Sequence, residues 1–216
     1  MGGIYACEPT GAKSKPPSMK TLLLIDIQND FMPGGALAVP GGDEIIPVVN
    51  ALMADFDLIV ATQDWHPADH GSFAANHPGT KVFDQIELDG LPQTLWPVHC
   101  VQNTGGALFA PSLETRRIER VFTKGLNPRI DSYSGLFDNG HRASTGMGEW
   151  LKARGVRQLS VAGVATDYCV KFTVLDALSE GFEVEVIAKA CRGVNLSAGD
   201  VDRALDEMQK AGARIV

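Results

Sequence analysis

The chain has 216 residues, 44% of them hydrophobic and 21% charged, a composition typical of one globular domain with a sizeable core. Its formal net charge is -7 and its sequence contains no basic cluster, which disfavours a nucleic-acid or anionic-membrane surface. The four cysteines, Cys7, Cys100, Cys169 and Cys191, are widely spaced, so we expect reduced thiols and a cytoplasmic location.

The first 18 residues, MGGIYACEPTGAKSKPPS, differ in composition from the rest of the chain. They are rich in Gly, Pro and Lys and lack the apolar stretch of a signal peptide. We expect a flexible N-terminal tail over residues 1–18 and a single domain over residues 19–216. Because no apolar run approaches the roughly 20 residues that cross a bilayer, no membrane partner is expected.

Short apolar runs and helical stretches alternate along the remainder of the chain. Strands are predicted at residues 21–27, 57–63, 118–124, 158–164, 183–189 and 213–216, and helices at residues 43–56, 146–155, 166–181 and 197–212. Gly155, Gly181 and Gly212 follow three of the helices as C-caps. The pattern predicts a doubly wound α/β fold, in which a mainly parallel six-stranded sheet is flanked by helices in three layers. Residues 65–117 form a long, weakly periodic excursion, typical of a functional or poorly ordered segment.

Reactive residue types fall at the ends of four predicted strands. Asp26 ends the first, Asp64 and His66 follow the second, Lys124 ends the third, and Cys169 follows the fourth. Each has a plain structural explanation alone, such as a turn cap, a solvated end or core packing. In open α/β sheets, however, ligands bind at the carboxyl ends of the strands. Their joint placement therefore predicts a site at this edge.

Cys169 has the surroundings that a nucleophilic thiol needs. Thr166 is a predicted N-cap, which places Cys169 in the first helical turn, where free N–H groups favour a thiolate or an oxyanion. Lys124 is expected to lower the thiol pKa, and Asp26 to accept the thiol proton. This combination suits acyl transfer by an acid/base-assisted cysteine.

The segment DWHPADH suggests a metal site. Asp64 and His66 are two residues apart, so in an extended segment both side chains point to one face. A third ligand could be His70 or His99, and such a set suits zinc, iron or manganese. The alternative is a turn-capping aspartate beside surface histidines.

Five motifs together resemble the nicotinamidases of the isochorismatase-like cysteine hydrolase family, from about residue 20 to the C-terminus. They are LLLIDIQNDFMPGGALAVPGG, ATQDWHPADHGSFA, LWPVHCVQNTGGA, FTKGLNPRIDSYSGLFDN and VAGVATDYCV. The resemblance implies an isochorismatase-like, Rossmann-like fold. The resemblance also implies that Asp26, Lys124 and Cys169 are catalytic, and that the metal ligands are Asp64, His66 and His99, with His70 a fourth ligand in only some members. It implies an oxyanion hole formed by the N–H groups of Ala165 and Cys169, after a cis peptide at Val164–Ala165. The residues implied to surround the substrate ring are Phe31, Leu37, Trp96 and Tyr133.

The implied reaction is the hydrolysis of nicotinamide to nicotinate and ammonia through a thioester, in NAD salvage, with pyrazinamide as a second substrate. One divalent metal is implied, zinc, with iron or manganese as alternatives. Three other readings of the residues stay open: a related cysteine amidohydrolase for another small amide, a metal-hydroxide hydrolase with a structural Cys169, and a non-catalytic ligand-binding protein. The oligomeric state is also open, with a homo-oligomer among the options.

Overall fold

The six predicted strands form one parallel sheet at the centre of the described residues, 19–216; the predicted tail over residues 1–18 lies outside them. In this computed structural model the strands are β1 (Thr21–Ile25), β2 (Leu58–Asp64), β3 (Gln85–Leu88), β4 (Leu91–Thr94), β5 (Arg120–Lys124), β6 (Gln158–Val164), β7 (Glu183–Arg192) and β8 (Arg214–Ile215). The sheet order is β5-β2-β1-β6-β7-β8 with parallel pairing throughout, while β3 and β4 form a separate antiparallel pair. The predicted doubly wound architecture is confirmed.

The chain reverses its direction of travel across the sheet between β1 and β6. It runs from β1 outward to β2 and β5, then returns to β6 on the other side of β1 and continues to β7 and β8. A crevice forms at such a reversal, because the connections leave the two neighbouring strands on opposite faces. The carboxyl ends of β1 and β6 therefore flank the expected binding position.

Alternation along β1 explains why both faces of the sheet are covered. Leu22 and Leu24 face one apolar cluster and Leu23 and Ile25 face the other, and all four are fully buried. The first cluster is closed by helix α1 (Ile45–Leu52), the second by helices α2 (Met147–Ala153), α3 (Lys171–Ser179) and α4 (Asp200–Ala211). The result is the predicted three-layer arrangement.

The helix ends agree with the glycine signals but not with the predicted N-cap. Gly155, Gly181 and Gly212 all have positive φ, which glycine adopts at low cost after a helix. The prediction for Thr166 is wrong: Ala165 precedes the helical turn, and no side chain caps it. Thr166–Val170 instead form a π-helical turn that leads into α3.

The excursion between β2 and β5 is ordered rather than loose. It contains the β3–β4 pair, and its Phe73 is fully buried against the rings of His66 and His99. This packing holds the excursion against the carboxyl edge of the sheet. Among the described residues, none of the helices combines the length and apolar character that a membrane crossing requires.

Candidate active site and metal centre

Four of the side chains predicted from strand ends meet at the carboxyl edge of the sheet. Asp26 directly follows β1, Asp64 and Lys124 are the last residues of β2 and β5, and Cys169 follows β6. Asp64 and Lys124 are also register partners across their strand pair. Each of the four residues is at most 7% exposed, so the sheet brings two carboxylates, an ammonium group and a thiol together out of solvent.

The Lys124 ammonium group lies at the centre of this cluster. Its Nζ is 2.9 Å from Asp26 Oδ2 and 3.3 Å from Cys169 Sγ. It also donates to the Asp64 carboxylate and, at 3.0 Å, to the carbonyl of Ser132. The contact with Asp26 lacks the angle of a hydrogen bond, which leaves Asp26 Oδ2 without a hydrogen-bond partner. Since a carboxylate oxygen of Asp26 lies within 4.8 Å of Cys169 Sγ, the aspartate is positioned to take a proton from the thiol.

Burial dominates the titration of the two groups that exchange a proton. It raises the pKa of Cys169 well above the usual range, and the Lys124 ammonium opposes this effect without reversing it. Burial likewise raises the pKa of Asp26 against the opposing charge of Lys124. The Lys124 ammonium therefore lowers the thiol pKa in the expected direction, but burial outweighs its effect. The raised pKa favours loss of the Cys169 proton as the sulfur attacks.

The π-helical turn frees the backbone N–H group of Cys169. The carbonyl of Ala165 accepts from the N–H groups of Tyr168 at 3.1 Å and Val170 at 3.0 Å, and these bonds bracket Cys169. Within the described residues, the N–H groups of Ala165 and Cys169 donate none of the hydrogen bonds found in turns, loops and caps. The implied cis peptide at Val164–Ala165 is present. Both N–H groups are thus available to an oxyanion beside Cys169 Sγ.

Two buried polar residues that the sequence reasoning missed hold the two aspartates in place, one through a carboxylate and one through the backbone. Thr62, on β2, donates its hydroxyl to Asp26 Oδ1 at 2.6 Å. The side-chain amide of Gln28 accepts from the N–H of Asp64 at 2.9 Å and donates to its carbonyl at 2.8 Å. Thr62 resembles any β-branched strand residue, but a glutamine directly after an apolar strand is a signal that could have been recognised.

Asp64, His66 and His99 form a set that fits a divalent metal. Asp64 Oδ2 lies 3.7 Å from His66 Nε2 and 3.8 Å from His99 Nε2. The Nδ1 atoms of the two rings contact the carbonyls of Gly125 at 3.0 Å and Pro97 at 2.8 Å. A carbonyl only accepts, so each Nδ1 carries a proton, and Nε2 is the ring nitrogen that faces Asp64 and is left to bind a metal. Outer partners of this kind are typical of metal-binding histidines.

His70 lies beside this set, but its ring nitrogens have different hydrogen-bond partners. Its ring centroid is 4.3 Å from that of His66, and burial lowers its pKa to about 4. Its Nδ1 accepts from the backbone N–H of Ser72 at 3.2 Å and contacts the Ser72 hydroxyl at 2.7 Å. His70 Nε2 has no partner. The structure thus places His70 at the site. Its Nδ1 accepts a hydrogen bond, whereas Nδ1 of His66 and of His99 contacts a carbonyl oxygen.

A pocket opens between the thiol and the metal-binding set. It is lined by Phe31, Leu37, Asp64, His66, Trp96, His99, Asp131, Tyr133, Ala165, Tyr168, Cys169 and Val194. All four residues implied to surround the substrate ring are present, and Trp96 Nε1 donates to the Tyr133 hydroxyl at 3.2 Å. The sequence reasoning missed Asp131, Tyr168 and Val194 as pocket residues.

A wider cavity of about 470 Å³ lies at the opposite edge of the sheet. Its lining includes Lys20 and Gln158, at the amino ends of β1 and β6, and none of the predicted site residues. The smaller pocket at the carboxyl edge, in contrast, combines the Cys169 thiol, the metal-binding set and an apolar wall.

Comparisons with known proteins identify the family of the chain. Residues 20–216 match the family model described as Isochorismatase domain. The nicotinamidase of Escherichia coli (strain K12) is 52% identical over 200 residues, which covers 91% of this chain and 93% of that protein.

Two solved structures are similar over nearly the whole fold. An Acinetobacter baumanii protein described as a nicotinamidase and pyrazinamidase has a TM-score of 0.90 at 45% identity, covering 94% of this chain and 97% of that chain. The pyrazinamidase of Pyrococcus horikoshii in complex with zinc has a TM-score of 0.75 at 40% identity, covering 92% and 98%.

Proposed function

We propose that this chain, which belongs to the isochorismatase family, is a nicotinamidase. A nicotinamidase is an amidohydrolase that converts nicotinamide to nicotinate and ammonia. The observation that carries this proposal is the position of Lys124 Nζ, 2.9 Å from Asp26 and 3.3 Å from Cys169 Sγ. A cation between a carboxylate and a thiol supports charge on either group as a proton passes between them.

Acylation begins when Cys169 Sγ attacks the carboxamide carbon and Asp26 takes the thiol proton. A carbon–sulfur bond forms, and the carbonyl oxygen becomes an oxyanion that accepts from the N–H groups of Ala165 and Cys169. Lys124 stabilises the developing thiolate during the attack. Protonated Asp26 then gives its proton to the leaving nitrogen, the carbon–nitrogen bond breaks, and ammonia departs.

In deacylation, Asp26 carries a proton from water to the sulfur atom of Cys169. A water molecule attacks the thioester while Asp26 accepts one of its protons. The carbon–sulfur bond breaks, and Asp26 returns the proton to Cys169 Sγ. The nicotinic acid formed loses its carboxyl proton to water and leaves as nicotinate. Thr62 keeps Asp26 oriented through both half-reactions, because its hydroxyl holds Oδ1 and leaves Oδ2 free for the proton.

Asp64, His66 and His99 would hold one divalent ion, for which we propose zinc, with iron or manganese as alternatives. When bound, the ion supplies a Lewis acid that anchors the pyridine nitrogen of the substrate. Phe31, Leu37, Trp96 and Tyr133 enclose the ring. Pyrazinamide differs from nicotinamide by one ring nitrogen, so the same walls accept it. The reaction suits NAD salvage in the cytoplasm, in keeping with the free thiols of Cys100, Cys169 and Cys191.

Ammonia release from nicotinamide by the metal-replete protein tests the proposal. Turnover is expected with nicotinamide and pyrazinamide, and much weaker turnover with benzamide, which has no ring nitrogen. A folded, metal-loaded protein that releases ammonia from other small amides but not from nicotinamide would refute the substrate assignment.

A further inference from the structure

Asp131 is a buried acid in the pocket wall whose charge has no basic partner. It is 4% exposed, and it accepts from Gln93 Nε2 at 3.0 Å and from the N–H of Ser132 at 2.8 Å, both neutral donors. Across residues 19–216, no lysine, arginine or histidine nitrogen comes within 4.0 Å of its carboxylate. A buried carboxylate is costly unless a cation is close. Asp131, whose carboxylate also lies within 4.8 Å of ring nitrogens of His66 and His70, therefore favours a cation bound in this part of the pocket.

His70 lies near this acid, with one ring nitrogen within 4.8 Å of its carboxylate, and its hydrogen bonds fix which nitrogen carries the proton. The backbone N–H of Ser72 cannot accept, so the 3.2 Å bond to His70 Nδ1 requires that nitrogen to be unprotonated. A neutral ring then carries its proton on Nε2, which is fully buried and unpartnered. His66 and His99 have the opposite arrangement, with the proton on Nδ1. His70 is thus built as a donor, whereas its two neighbours are built as metal ligands.

The spacing of these groups fits one bridging water molecule. A ring nitrogen of His70, a ring nitrogen of His66 and a carboxylate oxygen of Asp131 all lie within 4.8 Å of one another, while both nitrogens are more than 4.0 Å from the carboxylate. Two hydrogen bonds of about 2.8 Å that meet at a tetrahedral water oxygen separate their outer atoms by about 4.5 Å. Because His66 also belongs to the metal-binding set, a water molecule held between these groups would lie beside that set.

We propose that His70 and Asp131 are positioning residues that hold a water ligand of the metal, His70 Nε2–H donating to the water oxygen and Asp131 accepting from the water. This inference rests on the metal centre of the proposed function. It assigns His70 to the outer shell of the metal, and it gives Asp131 the cation that its burial requires.

The test is zinc affinity, measured by competition with a chelator in the absence of substrate. Asp131→Asn keeps the shape and removes the charge, and we expect it to weaken zinc binding by about 10- to 100-fold, as is usual for the loss of an outer-shell partner. His70→Gln keeps an N–H donor, and its zinc affinity should fall less than tenfold, while the loss of zinc affinity in His70→Leu should match that in Asp131→Asn.

Asp138→Asn is the matched control. The buried carboxylate of Asp138 accepts from the N–H groups of Gly140 and Arg142, and it belongs to none of the potential metal-binding sets among residues 19–216.

Melting temperatures separate a metal role from a structural one. The rise in melting temperature on adding zinc should be smaller in Asp131→Asn than in the wild type. Each metal-free protein is the reference for its own rise, because the new amide NH2 replaces an oxygen that accepts a hydrogen bond and changes stability by itself. Unchanged zinc affinity in Asp131→Asn would overturn the inference. So would a loss in His70→Gln that exceeds the loss in Asp131→Asn, since that marks His70 as a direct ligand. If the affinities follow the expected pattern but nicotinamide is not hydrolysed, only the proposed substrate fails.

Discussion

Asp64 and Lys124, the paired last residues of β2 and β5, are in direct contact and join the two halves of the site. The Lys124 ammonium binds Asp64 Oδ1, whereas Asp64 Oδ2 faces Nε2 of His66 and His99 at 3.7 and 3.8 Å. Although burial acts to raise it, the pKa of Asp64 is held well below its usual range by Lys124 and His66. One ionised carboxylate therefore serves both the lysine of the catalytic cluster and the metal.

Asp64→Asn should remove metal binding and turnover together. The variant keeps the shape of the side chain but leaves two histidines as the only ligands of the set. We expect zinc affinity to fall by more than the roughly 10- to 100-fold typical of outer-shell changes. Chelator competition measures the affinity, and the ammonia assay measures the rate. One zinc ion bound with unchanged affinity would place the metal elsewhere.

Cys169→Ala should separate the same two properties. Its Sγ is absent from the Asp64, His66 and His99 set, so zinc should remain bound at one ion per chain. Loss of a covalent nucleophile costs on the order of 10⁶ in kcat in a comparable hydrolase, and a loss of that order is expected here. Cys191→Ala, at a buried thiol on β7, is the control and should keep its rate. Near-normal turnover in Cys169→Ala would favour a metal-hydroxide nucleophile.

The fold and the reactive strand ends were accessible from the sequence because parallel strands bring their carboxyl ends to one edge. Continuous apolar runs located β1, β2, β5 and β6, and the residues that follow each run met where expected. The side chains that orient them were less accessible. Thr62 has the residue type of an ordinary strand position, and only the neighbouring β1 reveals that its hydroxyl reaches Asp26.

Tertiary contacts account for the remaining differences. Asp131 enters the pocket because Gln93, 38 residues earlier in the chain, holds its carboxylate, and because Asn139 accepts from the N–H of Tyr133 at 2.9 Å. No local pattern encodes such contacts. At Thr166, the side chain suggested an N-cap, but the turn is π-helical, and its hydrogen bonds come from the backbone.

Thr62→Val should slow the reaction without weakening substrate binding. The change removes the 2.6 Å hydrogen bond to Asp26 Oδ1 at nearly constant volume. Hydrogen bonds to charged groups contribute about 1.5–3 kcal/mol, which corresponds to roughly a 10- to 100-fold lower kcat. KM should stay near the wild-type value, because Thr62 does not line the pocket. Thr62→Ser retains the hydroxyl and should restore most of the rate; equal losses in both variants would point to packing instead.

The pH dependence of Cys169 alkylation should report a protonated resting thiol. Because burial raises the pKa of Cys169, the thiolate is scarce at pH 7, and its fraction should rise about tenfold per pH unit without a plateau up to pH 9. Iodoacetamide labelling of the metal-replete protein, followed by mass spectrometry with Cys169→Ala as the control, measures this rate. Lys124→Met should slow labelling further at every pH, since the ammonium is the group that opposes the rise. A plateau below pH 8 would show that the thiolate is already formed at rest, and sulfur would then attack without first giving its proton to Asp26.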